Sequence, residues 1–165
     1  MKQPTSSVHG GVAVSESATV INPETTRFAA CLLFSANALA RTITTMSDEA
    51  FGRLGLTYSH AYLLWEIVES PGITPTVLSE RLFLSPSTIT RLIEKLEQKD
   101  LVVRRTEGKN TLVSPTESGK TLHPQIVEAV QQNALHYMET IGGGPDELIA
   151  LTKQVFGAAT AFSER

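Results

Sequence analysis

The sequence predicts a mainly α-helical fold that carries one small β-hairpin. Three observations lead there. Apolar residues recur every three or four positions over most of the chain, the period of helices with one buried face. The exception spans residues 100–114, where Leu101-Val102-Val103, a polar tip containing Gly108, and Thr111-Leu112-Val113 read as two short strands around a turn. Just before it lie two short helical stretches, each opened by a hydroxyl residue and a proline: Thr74-Pro75 and Ser85-Pro86. The hydroxyl caps orphan backbone donors, and proline lacks the donor that would otherwise go unsatisfied there.

Each element follows in order. Residues 1–23 are rich in Ser, Thr, Val and Gly without helical period, and read as a flexible tail ending at Asn22-Pro23. From Thr25 a long helix is expected, with Phe28, Leu32, Ser35, Leu39, Ile43, Met46, Ala50 and Leu54 on one stripe. That stripe is too long for one small domain to bury by itself. A second helix is expected over residues 59–69, with Ala61, Leu64, Trp65 and Val68 inward, closed by Ser70-Pro71-Gly72. The third turns Val77, Leu78 and Leu82 inward.

The helix opened by Ser85 is the most informative. At about 100° per residue, Ile89, Leu92, Ile93 and Leu96 fall on one stripe. The opposite face carries Ser87, Arg91 and Glu94, flanked by Thr88, Thr90, Lys95 and Gln98. Small hydroxyls at the exposed N-terminal end, followed by an arginine, suit a helix that enters a DNA major groove end-on. A two-stranded ribbon directly after such a helix–turn–helix makes a wing. Its tip offers Lys109 and Asn110, with Arg104 and Arg105 at its base, and one of those two arginines is expected to be no more than a solvated strand end. Beyond the wing, Thr116 caps a long helix reaching residue 141, Gly142-Gly143-Gly144-Pro145 breaks it, and a last helix from Asp146 carries Leu148, Leu151, Val155, Ala158 and Phe162.

Composition narrows the function classes. The chain has 165 residues, 41% of them hydrophobic, and no run approaches the roughly 18 apolar residues of a membrane span. No secretory signal pattern opens it, so no membrane partner and a cytoplasmic location are expected. One cysteine excludes an intrachain disulfide framework and a Cys-based zinc site. His9, His60, His123 and His136 lack ligand spacing, so no metal and no cofactor is expected. No nucleophile elbow, phosphate-cradling glycine loop or His-Glu-x-x-His pattern occurs, so the chain is not expected to be an enzyme. The net charge is −3, yet residues 85–120 hold seven basic against five acidic side chains, a mildly basic segment on an acidic body.

Leu54-Gly55-Leu56-Thr57, the helix through Leu64 and Trp65, the helix pair of residues 74–99, Glu97-Gln98-Lys99-Asp100-Leu101-Val102 and Ser114-Pro115-Thr116-Glu117-Ser118-Gly119-Lys120 together resemble the MarR family of transcriptional regulators. The resemblance runs from about Thr25 to the C-terminus. It implies a winged helix-turn-helix flanked by N- and C-terminal dimerisation helices: a tail at 1–23, a dimerisation helix at 24–55, a DNA-binding domain at 56–115 and dimerisation helices at 116–165. It implies a homodimeric repressor on a pseudo-palindromic double-stranded DNA operator, released by an effector, often a small aromatic acid or phenol in this family. Ser85, Ser87, Thr88, Thr90, Arg91, Lys95, Arg105, Lys109 and Asn110 are the expected DNA contacts. The chain departs from the family in its wing tip, which is shorter, lacks Asp and offers Lys109 in place of an arginine. It departs again at Asp100, where the family commonly has Gly.

Two alternatives accompany this reading. One is a winged helix used only for protein contacts. The other is a one-cysteine organic-peroxide sensor using Cys31, with Tyr58 and Tyr62 as candidate partners from a facing subunit. Against it, Ala29, Ala30, Leu32 and Leu33 surround Cys31 and predict a small core residue.

Overall fold

The computed structural model describes residues 26–141 and 144–163. The expected tail at 1–23 lies outside them. Six helices and one hairpin follow in the order α1 (Leu32–Gly52), α2 (Tyr58–Glu69), α3 (Pro75–Leu82), α4 (Pro86–Gln98), β1 (Val102–Glu107), β2 (Asn110–Pro115), α5 (Glu117–Ile141) and α6 (Pro145–Ser163). The chain divides into two compact units, residues 1–42 and 43–165, with the division falling inside α1.

In the first unit, α1 starts at Leu32, later than the Thr25 expected from apolar spacing. The Thr26 hydroxyl accepts the Phe28 N–H at 3.2 Å, and the Cys31 N–H closes a turn onto the Phe28 carbonyl at 2.9 Å. Local side-chain-to-backbone bonding of this kind competes with helix. The Phe28 ring turns back onto Phe34, with centroids 5.7 Å apart. Leu32 and Leu33 are 83% and 74% exposed, and Phe28 and Leu39 are exposed too. The apolar stripe of this unit is thus not buried among the described residues.

In the second unit the core gathers around α2. Leu63, Leu64 and Ile67 of α2, Leu78 of α3, Ile89, Ile93 and Leu96 of α4, Val113 of β2 and Ile126 of α5 are fully or almost fully buried. Two inward positions of α2, Leu63 and Ile67, lie outside the expected set, while Trp65 and Val68 are only partly buried. The end of α1 likewise buries Ser47 and Phe51, one position off the expected stripe of Met46, Ala50 and Leu54. The Ser47 hydroxyl donates to the Ile43 carbonyl at 2.8 Å, so its hydrogen bond with the Tyr137 hydroxyl of α5 has the tyrosine as donor. Asp48 Oδ1 accepts the Tyr58 N–H at 2.9 Å and closes the start of α2.

The wing is an antiparallel pair running from Val102↔Pro115 to Glu107↔Asn110. Its loop is therefore only Gly108-Lys109, tighter than the five-residue tip expected. Gly108 has φ +61°, as the first central position of a II′ hairpin turn requires. Ile73 adds a one-residue bridge to Val113, tying the segment between α2 and α3 to the wing.

Both helices of the helix–turn–helix end alike. After α3, Phe83 takes φ +53° and the Leu84 N–H bonds back to the Ser79 carbonyl. After α4, Asp100 takes φ +56°, the Leu101 N–H reaches the Leu96 carbonyl at 3.0 Å, and the Asp100 N–H reaches Glu97 at 2.9 Å. These are Schellman closures, which place one residue in the left-handed region, usually glycine. Asp100 thus keeps the turn that glycine would make, at some backbone cost.

Candidate nucleic-acid interface

The outward face of α4 is built from its N-terminal cap. Ser85 Oγ accepts the Thr88 N–H at 3.2 Å and also lies 3.0 Å from Ser87 Oγ and 2.8 Å from Thr88 Oγ1. Proline stands at the first helical position, as the sequence predicts. Three hydroxyls and the Ser87 N–H therefore sit together at one helix end, where the helix dipole favours negative charge.

Ile89, Ile93 and Leu96 are buried and Leu92 partly so, which fixes the rotation of the helix. Ser87, Thr90, Arg91 and Lys95 are exposed on the other side, while Thr88 is half-buried. Arg91 makes no ion pair among the described residues. Thr90 spends its hydroxyl proton on the Pro86 carbonyl at 2.9 Å, which leaves it an acceptor toward solvent. Lys95 Nζ rests 3.2 Å from Gln98 Oε1.

The wing brings Arg105, Lys109 and Asn110 to an exposed hairpin. Asn110, expected in the loop, is the first residue of β2. The two basal arginines separate, as alternation along a strand requires. Arg104 is held by Glu97 of α4, through a 2.5 Å ion pair and a 3.1 Å bond from its backbone N–H. It is a brace between α4 and the wing, not a solvated strand end. Arg105 has no ion pair among the described residues.

One further lysine, Lys99, adds to the charge here. His60, near the start of α2, has its pKa lowered, first by burial and then by Lys99, with Lys95 adding and Asp48 opposing. Its Nδ1 bonds Thr57 Oγ1 at 2.7 Å. The C-terminal end of α4 thus concentrates positive charge beside the α2 start, and Lys99 is a basic residue that the helix projection had not selected. On the far side of α2, Tyr62 has its pKa raised, mainly by burial and then by Tyr137 and Tyr58.

Cys31 corrects an expectation. It is exposed, not a core residue. Its carbonyl accepts the Ser35 N–H at 2.9 Å, so it stands at the N-cap of α1. No cluster of three or more metal-ligating side chains occurs among the described residues, and no helix among them is long and apolar enough to cross a membrane.

A trihelical core with a capped, outward-facing second helix, closed by a two-stranded wing, defines a winged helix-turn-helix. The profile of the MarR family matches residues 54–110. The HTH-type transcriptional regulator SarZ of Staphylococcus aureus is 40% identical over 76 residues, a segment taking in 44% of this chain and 51% of SarZ. The chain thus spans about half the length of that relative. The crystal structure of the transcriptional regulator SlyA superposes with a TM-score of 0.70 at 25% identity, covering 81% of this chain and 95% of SlyA. A putative MarR family regulator from Listeria monocytogenes, solved with a 26mer DNA, gives 0.69 at 25% identity, covering 81% of this chain and 89% of that one. Over residues 54–110 the chain is thus similar to the MarR family.

Proposed function

We propose that the protein is a sequence-specific DNA-binding transcriptional repressor, acting as a homodimer on a pseudo-palindromic operator and released by a small effector. The observation that carries this is the outward face of α4: Ser87, Thr90 and unpaired Arg91 stand opposite the buried Ile89, Ile93 and Leu96. The relative solved with a 26mer DNA supports it. Arg91 and the hydroxyls approach base edges. Ser85, Lys95 and the Ser87 N–H hold phosphates, and Arg105, Lys109 and Asn110 steady the wing on the backbone. The exposed apolar residues Leu32, Leu33 and Leu39 of α1 and Val155 of α6 supply surface for a second subunit.

The test is operator binding after selection from a random DNA pool. Arg91→Ala is expected to lose about 1–3 kcal/mol of specific affinity with an unchanged melting curve. Unchanged affinity overturns the assignment of α4. Affinity that barely responds to salt would instead favour a winged helix used only for protein contacts, because phosphate contacts impose a steep salt dependence.

Exposure of Cys31 at a helix N-cap gives the peroxide-sensing reading a second place, since oxidant access and helix N–H donors both favour a reactive thiolate. Under that reading, organic peroxide releases the wild type from DNA, Cys31→Ser stays bound, and dithiothreitol restores binding. Wild type that stays bound retires it.

A further inference from the structure

Phe83 stands in the turn between α3 and α4 with φ +53°, in the left-handed region. A side chain with a Cβ carries a steric cost there that glycine does not, and so large a residue is an outlier. Burial does not offset that cost, since the ring is mostly exposed. Residues held in such conformations cluster where the strain serves a function.

What the ring meets is Phe156 of α6, far along the chain. The two centroids lie 5.0 Å apart with the ring planes at 89°, so the positive edge of one ring faces the negative face of the other. Phe156 is exposed as well, and neither ring belongs to the core around α2. α6 also packs on α5, and its Ile149 and Val155 are exposed. The aromatic pair therefore ties a thinly packed helix to the turn that precedes α4.

That turn passes a displacement on to α4. The Phe83 N–H bonds to the Glu80 carbonyl and the Leu84 N–H to the Ser79 carbonyl, while the Ser79 hydroxyl donates back to the Leu84 carbonyl. Phe83 and Leu84 are thus clamped to the end of α3. Ser85 follows at once, and its Oγ and carbonyl accept the Thr88 and Ile89 N–H groups that open α4. Little slack lies between the Phe83 ring and the cap of α4.

We propose that Phe83 and Phe156 are a positioning pair, through which α6 holds the start of α4 and sets how firmly that helix is presented to DNA. For its effect on DNA binding the pair rests on the reading of α4 proposed above; as a link between α6 and the start of α4, it does not. Val155 and Phe156 are neighbours on α6 and point about 100° apart. A surface that packs on Val155 therefore bears on the same turn of helix as Phe156. The packing of α6 is felt at α4.

The experiment combines amide hydrogen exchange with DNA binding on the full chain. Phe156→Ala should speed exchange at Thr88 and Ile89 by about three- to tenfold and leave Leu64 and Ile67 of α2 unchanged. Phe83→Ala and Phe156→Ala should each weaken the selected operator and an unrelated duplex by the same factor, about three- to tenfold, and together weaken them no further. Phe83→Gly removes the ring but relieves the backbone, so it should melt above Phe83→Ala and yet bind DNA no better. Under a purely structural role, binding would return with the melting midpoint. Unchanged exchange at Thr88 and Ile89, unequal losses on the two duplexes, multiplying losses in the double variant, or recovered binding in Phe83→Gly overturns the pair. So does a Phe156→Ala protein that loses the wild-type association state by sedimentation, which would make Phe156 a subunit contact. If the wild type binds no DNA, the reading of α4 fails while hydrogen exchange still decides the link.

Discussion

Gly119 is where the fold tolerates least. A Cβ added there would stand 2.1 Å from the Leu101 carbonyl oxygen, 3.2 Å from its carbon and 3.3 Å from Leu64 Cδ1. Carbon–oxygen contacts normally begin near about 3.3 Å, so Gly119→Ala requires α5 and the start of the wing to separate by about 1.2 Å. The obstacle is backbone, and that carbonyl already accepts the Thr116 N–H at 3.1 Å. Leu101 in turn closes α4 through its bond to Leu96, and Thr116 Oγ1 donates to the Asp100 carbonyl at 2.6 Å. Separation therefore strains the joint between α4, wing and α5 together. Overpacking alone costs about 1–3 kcal/mol where side chains can yield, so about 3 kcal/mol or more is expected here. For a chain of this size that lowers Tm by about 6–12 °C. Thermal unfolding followed by circular dichroism measures it, with Gly157→Ala as control. Gly157 lies within α6 with nothing within 4 Å of its added Cβ, so alanine there should gain about 0.5–1 kcal/mol through helix propensity. A Gly119→Ala protein within about 1 kcal/mol of wild type would refute the close approach of α5 to the wing.

Asp100→Gly should act in the opposite direction. It relieves a left-handed residue that no described side-chain partner holds, and a gain of about 0.5–1 kcal/mol is expected in denaturant unfolding, operator affinity unchanged. A loss of stability would mean the carboxylate has a structural role. On α6, Val155 is 60% exposed and Leu151 half-buried in the single chain, so aspartates at both positions should leave helix content intact. If a second subunit covers them, the unpaired charges cost several kcal/mol at the interface, and dimer and operator binding are lost together. A dimer that survives by sedimentation velocity would place this face elsewhere.

The sequence foretold the elements whose signals are local. Both hydroxyl–proline caps, at Thr74 and Ser85, form as expected, and so does the buried stripe of α4. Local signals also explain the errors. The Thr26 hydroxyl bond that delays α1 competes with an apolar period that continues unbroken through residue 28. Leu63 and Ile67 were passed over because α2 is covered on several sides, by α3, α4, α5 and β2, and a one-stripe projection assumes a single covered face. The outward residues of α4 were legible for the same reason as its stripe. Lys99 was not, because its neighbour His60 belongs to a helix far off in the chain. Leu148, Ala158 and Phe162 of the expected C-terminal seam have side chains outside the described residues.

α4 is held at its two ends and along its buried stripe. Its start is fixed by Ser85 and by the left-handed Phe83, whose ring is 61% exposed and meets Phe156 of α6 edge-on at 5.0 Å. Its end is fixed by the Asp100 closure and by Glu97, which reaches Arg104 of the wing. None of these restraints uses Arg91. The orientation of the helix is therefore carried by backbone bonds, buried stripe and wing, while Arg91 meets the solvent with no structural duty among the described residues. If α4 reads DNA as proposed, a substitution at Arg91 changes what is read and leaves the frame in place. Under that reading, one at Phe83 changes how firmly the helix is presented, and so alters binding to all DNA sequences in the same proportion.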